Sequence, residues 1–221
     1  MTLKPKLSKK YSLAKLAPEW REKIFSSIRS DYMKRAVAVL AASGCRPSEL
    51  ERGVVIRLVE GSLSIAIKGS KVDMKSGRGQ PLRLLQIDPS SPWGQYLFEQ
   101  VFNKIDQHML VKYDAGGISQ RLREKSRQLW PRRKALISAY DFRHFIGKSM
   151  KESGEKKEKI ACALGHATDF SQTAYGRVGG GKKSAGRHGV LVAQATNPIR
   201  HVTKTDRLER FSSPVIPKPA I

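Results

Sequence analysis

Residues 36–42, AVAVLAA, constrain this chain more than any other stretch. A helix that is apolar on every side must be covered on every side, so the segment DYMKRAVAVLAASG predicts a buried core helix with a layered fold around it. Gly44 ends that helix, and Asp31 is placed to cap its start. Ahead of it, Pro18 suits a first helical turn, and Trp20, Ile24 and Ile28 recur at four-residue spacing. An amphipathic helix is expected over 18–29. Behind it, CRPSELERG reads as a helix of barely two turns. Pro47 lies in its first turn, Glu49 near its positive end, and Gly53 closes it.

The period then changes from helical to alternating. VVIRLV and LSIAIKG flank a polar turn at Gly61, a hairpin signal, and PLRLLQI at 81–87 adds a third strand. Between strands two and three, SKVDMKSGRGQ predicts a mobile basic loop carrying Lys71, Lys75 and Arg78. Trp93, Leu97, Val101, Ile105 and Met109 return at helical spacing, a basic helix follows at 118–129, and three short helices are punctuated by Gly154 and Gly165. After Tyr175 comes the basic linker GRVGGGKKSAGRHG, then the small apolar run VLVAQA in a polar tail. The expected fold class is α+β, mainly α-helical, with a small three-stranded antiparallel sheet. Residues 1–16 form a basic arm, 17–178 the main domain, and 179–221 a flexible basic tail.

Lys and Arg number 42 against 19 Asp and Glu in 221 residues, a net charge of +23. Such a surplus opposes compaction, and its simplest retention is a polyanionic partner, nucleic acid before membrane. No run of eighteen apolar residues and no secretory leader is present, so the chain reads as soluble and intracellular. Two cysteines, Cys45 and Cys162, cannot build a disulfide scaffold, and five scattered His show no metal-ligand spacing. Neither metal nor cofactor is expected.

Four blocks, in order, resemble the catalytic domain of the tyrosine recombinases, the phage-integrase-like site-specific DNA recombinases. ASGCRPSEL is similar to the small-residue turn, Gly-x-Arg and Ser-Glu-Leu of that family. LSIAIKGSK with PLRLL resembles its strand-loop-strand bearing a catalytic lysine, and AYDFRHFIG its His-x-x-Arg box. ALGHATDFSQTAYGRV resembles Leu-Gly-His followed nine residues later by the nucleophile. Each block alone is weak; their joint order and spacing over residues 33–178 carry the likeness.

The resemblance implies DNA strand cleavage and rejoining through a 3′-phosphotyrosyl link, without metal or nucleotide. Arg46 and Arg143 would meet the charge that grows on the phosphate, as paired guanidinium forks do. Glu49 would support Arg46. His166 would donate to or orient the phosphate, and Tyr175 would attack it. Lys71 is the expected general acid, with Lys68 and Lys75 open alternatives because the family has Gly-Lys where this chain reads Gly69-Ser70-Lys71. Lys68, Lys75, Arg78, Arg121, Arg123 and Lys125 are expected along the DNA backbone.

Two departures stand beside the likeness. Tyr140 occupies the position of the box histidine, and its hydroxyl can bond a phosphate oxygen but shuttles protons poorly at neutral pH. His144, about 100° around the helix from Arg143, reads as structural. Only about thirty residues precede the blocks, where the family carries a DNA-clamping domain, so the chain reads as a catalytic fragment or as a minimal recombinase with a partner. The implied setting is a bacterial or phage cytoplasm near the nucleoid. The implied assembly is a homotetramer on synapsed double-stranded DNA, monomeric or weakly associated when free, with VLVAQA docking in trans or packing in cis. Two other readings stay open: a DNA-binding module with weak or no chemistry, and a type IB topoisomerase-like relaxation activity. RNA binding is disfavoured, since the aromatics fall at core spacings.

Overall fold

The computed structural model describes Leu13 and residues 16–73, 75–175 and 188–202. Most of the basic arm, most of the linker after Tyr175 and the terminal stretch from 203 lie outside the described residues. In chain order the elements are α1 (Trp20–Ser26), α2 (Asp31–Ser43), α3 (Pro47–Arg52), β1 (Val54–Val59), β2 (Ser62–Lys68), β3 (Leu82–Ile87), α4 (Pro92–Phe102), β4 (His108–Val111), α5 (Ala115–Leu129), α6 (Ala139–Glu152), α7 (Lys157–Ala163), a 3-10 turn (Asp169–Ala174) and β5 (Val190–Ala195).

The core helix forms where its composition requires, and α2 buries every residue from 36 to 43. Its cap is Ser30, not Asp31. Ser30 has the extended backbone that a cap needs, and its hydroxyl accepts the Met33 N–H at 3.4 Å, whereas Asp31 is already in the first turn. At the other end Gly44 adopts φ +60°, where a side chain would be strained and would also meet Ile146. α1 lays Trp20 edge-on against Phe142 of α6, ring centroids 4.8 Å apart.

The sheet has five antiparallel strands, ordered β4-β1-β2-β3-β5, two more than expected. β4 arises because the helical spacing after Trp93 does not persist. α4 stops at Phe102, Ile105 is fully exposed, and Met109 and Val111 turn inward as alternate residues of a strand. The run VLVAQA, expected in a flexible tail, pairs as β5 with β3 of its own chain, Leu84 opposite Gln194 and Leu85 opposite Ala193. Both additions are edge strands flanking the three strands that the alternation did predict.

Alternation sends one row of side chains toward the helices: Met109, Ile56, Ile65, Leu85 and Ala193 across the five strands. α4 covers β1 and β2, α7 covers β3 and β5, and α2 lies against α4 and α6. α5 packs beside α3, so the basic helix flanks the short helix that begins after Arg46. Among the described residues no helix is long and apolar enough to cross a membrane.

Candidate active site

The turns closing α2 and α7, the start of α3 and the middle of α6 meet at one place. Arg46 is the extended residue before α3. The Glu49 carboxylate accepts both the Arg46 backbone N–H at 2.7 Å and its Nη1 at 2.6 Å. This is the acidic half of a capping box used also to hold a side chain. α6 is started by Ser138, whose backbone N–H and hydroxyl both reach Asp141 Oδ2, at 2.8 and 2.9 Å. That start fixes the phase of the helix and turns Arg143 inward.

Arg143 is buried and spends its donors in four directions. Nε–H donates to the Tyr175 hydroxyl oxygen at 2.8 Å, Nη1–H to the Gly44 carbonyl at 3.0 Å, and Nη2–H to the Leu164 carbonyl. Nη2 also lies 3.0 Å from His166 Nε2. A guanidinium can only donate, so Nε2 is an acceptor and the hydrogen of the neutral ring sits on Nδ1. Nδ1 is buried and has no hydrogen-bond partner among the described residues. Burial first, and then the Arg143, Arg46 and Arg83 charges, hold the His166 pKa down at about 3, so the ring is neutral at physiological pH.

Tyr175 completes the cluster. Its oxygen is 3.1 Å from His166 Nε2, its ring stacks on His166 with centroids 5.5 Å apart, and His144 meets it edge-on at 5.0 Å. The ring sits directly on α6 because residue 147 is glycine. A Cβ there would lie 2.8 Å from Tyr175 Cγ and 2.9 Å from its Cβ. Gly147 escaped the sequence reading, since a glycine within a helical pattern signals close approach only once the approaching side chain is known.

A second missed residue is Arg83. Its guanidinium grips Glu49 bidentately, Nη1 to Oε1 at 3.2 Å and Nη2 to Oε2 at 2.7 Å, and Nε donates to the Ala163 carbonyl at 3.0 Å. The available signal was its phase: Arg83 shares the inward parity of Leu85 and Ile87, where an arginine must find a partner. Burial works against ionisation of Glu49, yet the Arg83 and Arg46 charges prevail and hold its carboxyl at about 2. Burial, with Arg46 beside it, lowers the Arg143 guanidinium to about 10, still charged at neutral pH.

The remaining expected residues stand outside this cluster. Tyr140 is 39% exposed on the first turn of α6, and its hydroxyl has no hydrogen-bond partner among the described residues. Lys68, Lys71 and Lys75 are exposed, and none of them bonds to Arg46, Arg143, His166 or Tyr175. Their loop is closed on itself, Asp73 and Arg78 exchanging backbone hydrogen bonds of 2.9 Å in each direction. Arg78 is exposed, as are Arg121 and Arg123 on the outer face of α5, while Lys125 reaches Gln128 at 3.1 Å. Cys45 is buried, and burial pushes its thiol up to about 12; Cys162 is half-buried.

The chain beyond β5 returns to the same region. Gln80 donates to the His166 carbonyl at 3.1 Å and accepts the Asn197 N–H at 2.9 Å, and Arg200 Nη2 donates to Gly77 at 2.9 Å. Residues 197–202 thus tie the lysine-bearing loop to the turn that carries His166. Asp169, Glu158 and His201 bring ligand atoms within 4.8 Å of one another. Asp169 and His201 are already paired at 2.5 Å, and Asp169 also accepts the Val202 N–H at 3.0 Å, so these contacts close the same strap.

No family model and no curated protein matches the sequence. Solved structures do match. A crystal structure of XerA recombinase superposes with a TM-score of 0.53 at 20% identity, over 75% of this chain and 60% of that one. The XerH site-specific recombinase bound to its difH substrate gives 0.52 at 17% identity, over 75% of this chain and 51% of that one. The fold is that of the tyrosine recombinases. The chain spans between half and two thirds of the recombinase structures it matches, and the expected α+β class stands with a larger sheet.

Proposed function

We propose that this chain is the strand-cleaving domain of a site-specific DNA recombinase, acting on double-stranded DNA through a 3′-phosphotyrosyl intermediate. The observation that supports it most is the charge count in the cluster that Tyr175 joins through Arg143. Arg46, Arg83 and Arg143 surround one carboxylate, Glu49, in a largely buried cluster. A surplus of buried cations is costly, and an anionic phosphodiester in their midst compensates it.

A tyrosine hydroxyl becomes an effective nucleophile only as it gives up its proton. Here its oxygen accepts from Arg143 Nε, and its hydrogen faces the His166 Nε2 lone pair. In the proposed step the tyrosine oxygen bonds to phosphorus as its proton passes to His166 Nε2, the phosphorus–O5′ bond breaks, and the departing O5′ takes a proton from Lys71. Arg46 and Arg143 stabilise the non-bridging oxygens throughout. Religation reverses these bonds with a different 5′-hydroxyl and needs no nucleotide, because the phosphotyrosine retains the ester. Tyr140, exposed on the first turn of α6, contributes a hydroxyl to the phosphate and no base. Synapsis of two duplexes by a homotetramer is the matching assembly.

The test is a pool of end-labelled nicked duplexes with randomised sequence, together with a supercoiled plasmid. The expected result is a denaturation-resistant protein-DNA adduct that maps to Tyr175 and vanishes in Tyr175→Phe. DNA binding without any adduct refutes cleavage and leaves a DNA-binding module. An adduct that survives Tyr175→Phe moves the nucleophile elsewhere, and plasmid relaxation with no sequence enriched from the pool indicates a topoisomerase-like enzyme.

A further inference from the structure

Arg83 lies in a row of inward side chains that is otherwise apolar, with Val111, Val54 and Ile67 on one side and Ala195 on the other. Its side chain is wholly buried. An aliphatic residue would satisfy the packing there, and a buried ion pair seldom stabilises a fold better than a hydrophobic replacement of similar volume. What the arginine adds is geometry. One planar fork bonds both oxygens of Glu49, the same two oxygens that hold the backbone and guanidinium of Arg46.

The third contact points the other way. Nε holds the Ala163 carbonyl at the last residue of α7, and the guanidinium fills the space under the turn that follows. Gly165 there has φ +64°, and a Cβ on it would be 2.7 Å from Arg83 Nη1. The next residue is His166. A single rigid side chain therefore spans from the carboxylate that sets Arg46 to the turn that sets His166. Lysine could supply the charge but not both bonds at once, since its ammonium is a point donor.

We infer that Arg83 is a positioning residue of the phosphate site, the strut that fixes the separation of Arg46 from His166 through Glu49 and the Ala163 carbonyl. This rests on the strand-cleavage reading, which assigns a phosphate to the space between those groups. The strut touches neither phosphate nor nucleophile. Its loss loosens two groups together while leaving the exposed cations that hold the DNA backbone in place.

The experiment compares wild type, Arg83→Met, Arg83→Lys and the double variant Arg83→Met/Glu49→Gln, measuring thermal unfolding and single-turnover adduct formation against duplex concentration. Arg83→Met is expected to slow adduct formation at saturating duplex by about 100-fold with half-saturation changed by less than about threefold. Arg83→Lys regains part of the rate. Arg83→Met leaves the buried Glu49 carboxylate bonded to Arg46 alone, and the double variant removes that buried charge, so it regains thermal stability and not the rate. A wild-type rate in Arg83→Met, or recovery of rate together with stability in the double variant, overturns the proposal.

Wild-type protein that forms no adduct refutes the cleavage reading instead, and the strut is then tested with inorganic phosphate. Phosphate is expected to perturb the Arg143 Nε–H and His166 ring resonances in wild type and not in Arg83→Met. Equal perturbation in both proteins, or none in wild type, overturns the strut.

Discussion

Gly147→Ala separates the docked position of Tyr175 from the stability of the fold. The added Cβ would lie 2.8 Å from Tyr175 Cγ, 2.9 Å from Tyr175 Cβ and 3.1 Å from Leu164 Cδ1. Restoring ordinary contact requires the ring to retreat by about 0.6 Å, because neither the α6 backbone nor the base of an aromatic side chain can yield cheaply. Overpacking of this kind costs about 1–3 kcal/mol, whereas alanine in a helix interior gains about 1 kcal/mol over glycine. The net cost is about 0–2 kcal/mol, a fall in Tm of no more than about 8 °C for a domain of this size.

The effect on chemistry is larger than the effect on stability. Arg143 Nε donates to the Tyr175 oxygen at 2.8 Å, and a retreat of the ring takes that bond to the edge of the useful range or past it. A nucleophile misplaced by a fraction of an ångström to 1 Å costs about 10- to 100-fold in rate. Single-turnover adduct formation on nicked duplex DNA, run beside thermal unfolding, measures both quantities. The expected result is a protein that melts close to wild type and forms adduct at least about tenfold more slowly. A rate within twofold of wild type together with a lowered Tm would show that Tyr175 attacks from some position other than its seat on Gly147, and would refute the reasoning.

Stability should fall on acidification in two stages. His166 is depressed from 6.5 to about 3, so the unfolded chain binds its proton first and stability is lost as pH drops from 6.5 toward 3; His166→Gln should flatten that part of the Tm profile. Glu49 is depressed from 4.5 to about 2, so its contribution is complete above 4.5 and is lost between 4.5 and 2, a slope that Glu49→Gln removes. Lys71→Ala should slow cleavage of an ordinary phosphodiester by about 100-fold or more and regain the rate on a 5′-bridging phosphorothiolate, whose sulfur leaves without a proton. Rescue confined to Lys68→Ala or Lys75→Ala would move the general acid to that residue. Arg121→Gln and Arg123→Gln should each reduce the salt dependence of DNA binding by about one counterion, measured as the slope of log K against log salt, while Tyr175→Phe leaves the slope unchanged.

Local patterns carried the parts of the fold whose partners lie nearby in sequence. The all-apolar stretch of α2, the hairpin of β1 and β2, and the short α3 behind Pro47 each follow from periodicity and turn chemistry. β4 was hidden because four residues are too few to display a period, and Met109 falls by coincidence on the helical phase of Trp93 and Val101. β5 was visible as an apolar run, but its neighbour β3 lies about a hundred residues earlier, and nothing in six residues names a strand partner. The same distinction holds within the site. Arg143, His166 and Tyr175 belong to segments whose spacing is distinctive, and the structure gathers all three. Arg83 and Gly147 matter through contacts with residues 34 and 28 positions away, and each looks unremarkable in its own segment.

The perturbed groups of the cluster share one electrostatic setting. Burial and neighbouring guanidiniums lower His166, Arg143 is lowered by burial and by Arg46, and Glu49 stays ionised only because two arginines outweigh its burial. Positive charge lowers all three groups, with burial adding to it at His166 and Arg143 and opposing it at Glu49. A phosphodiester in the proposed position would oppose the guanidinium charges that act on His166 and Arg143. The overall charge of +23 can bring DNA to the surface without selecting any one phosphate. Selection needs cations packed together in excess of their counter-charges, which is the role proposed above for Arg46, Arg83 and Arg143 beside the single carboxylate of Glu49.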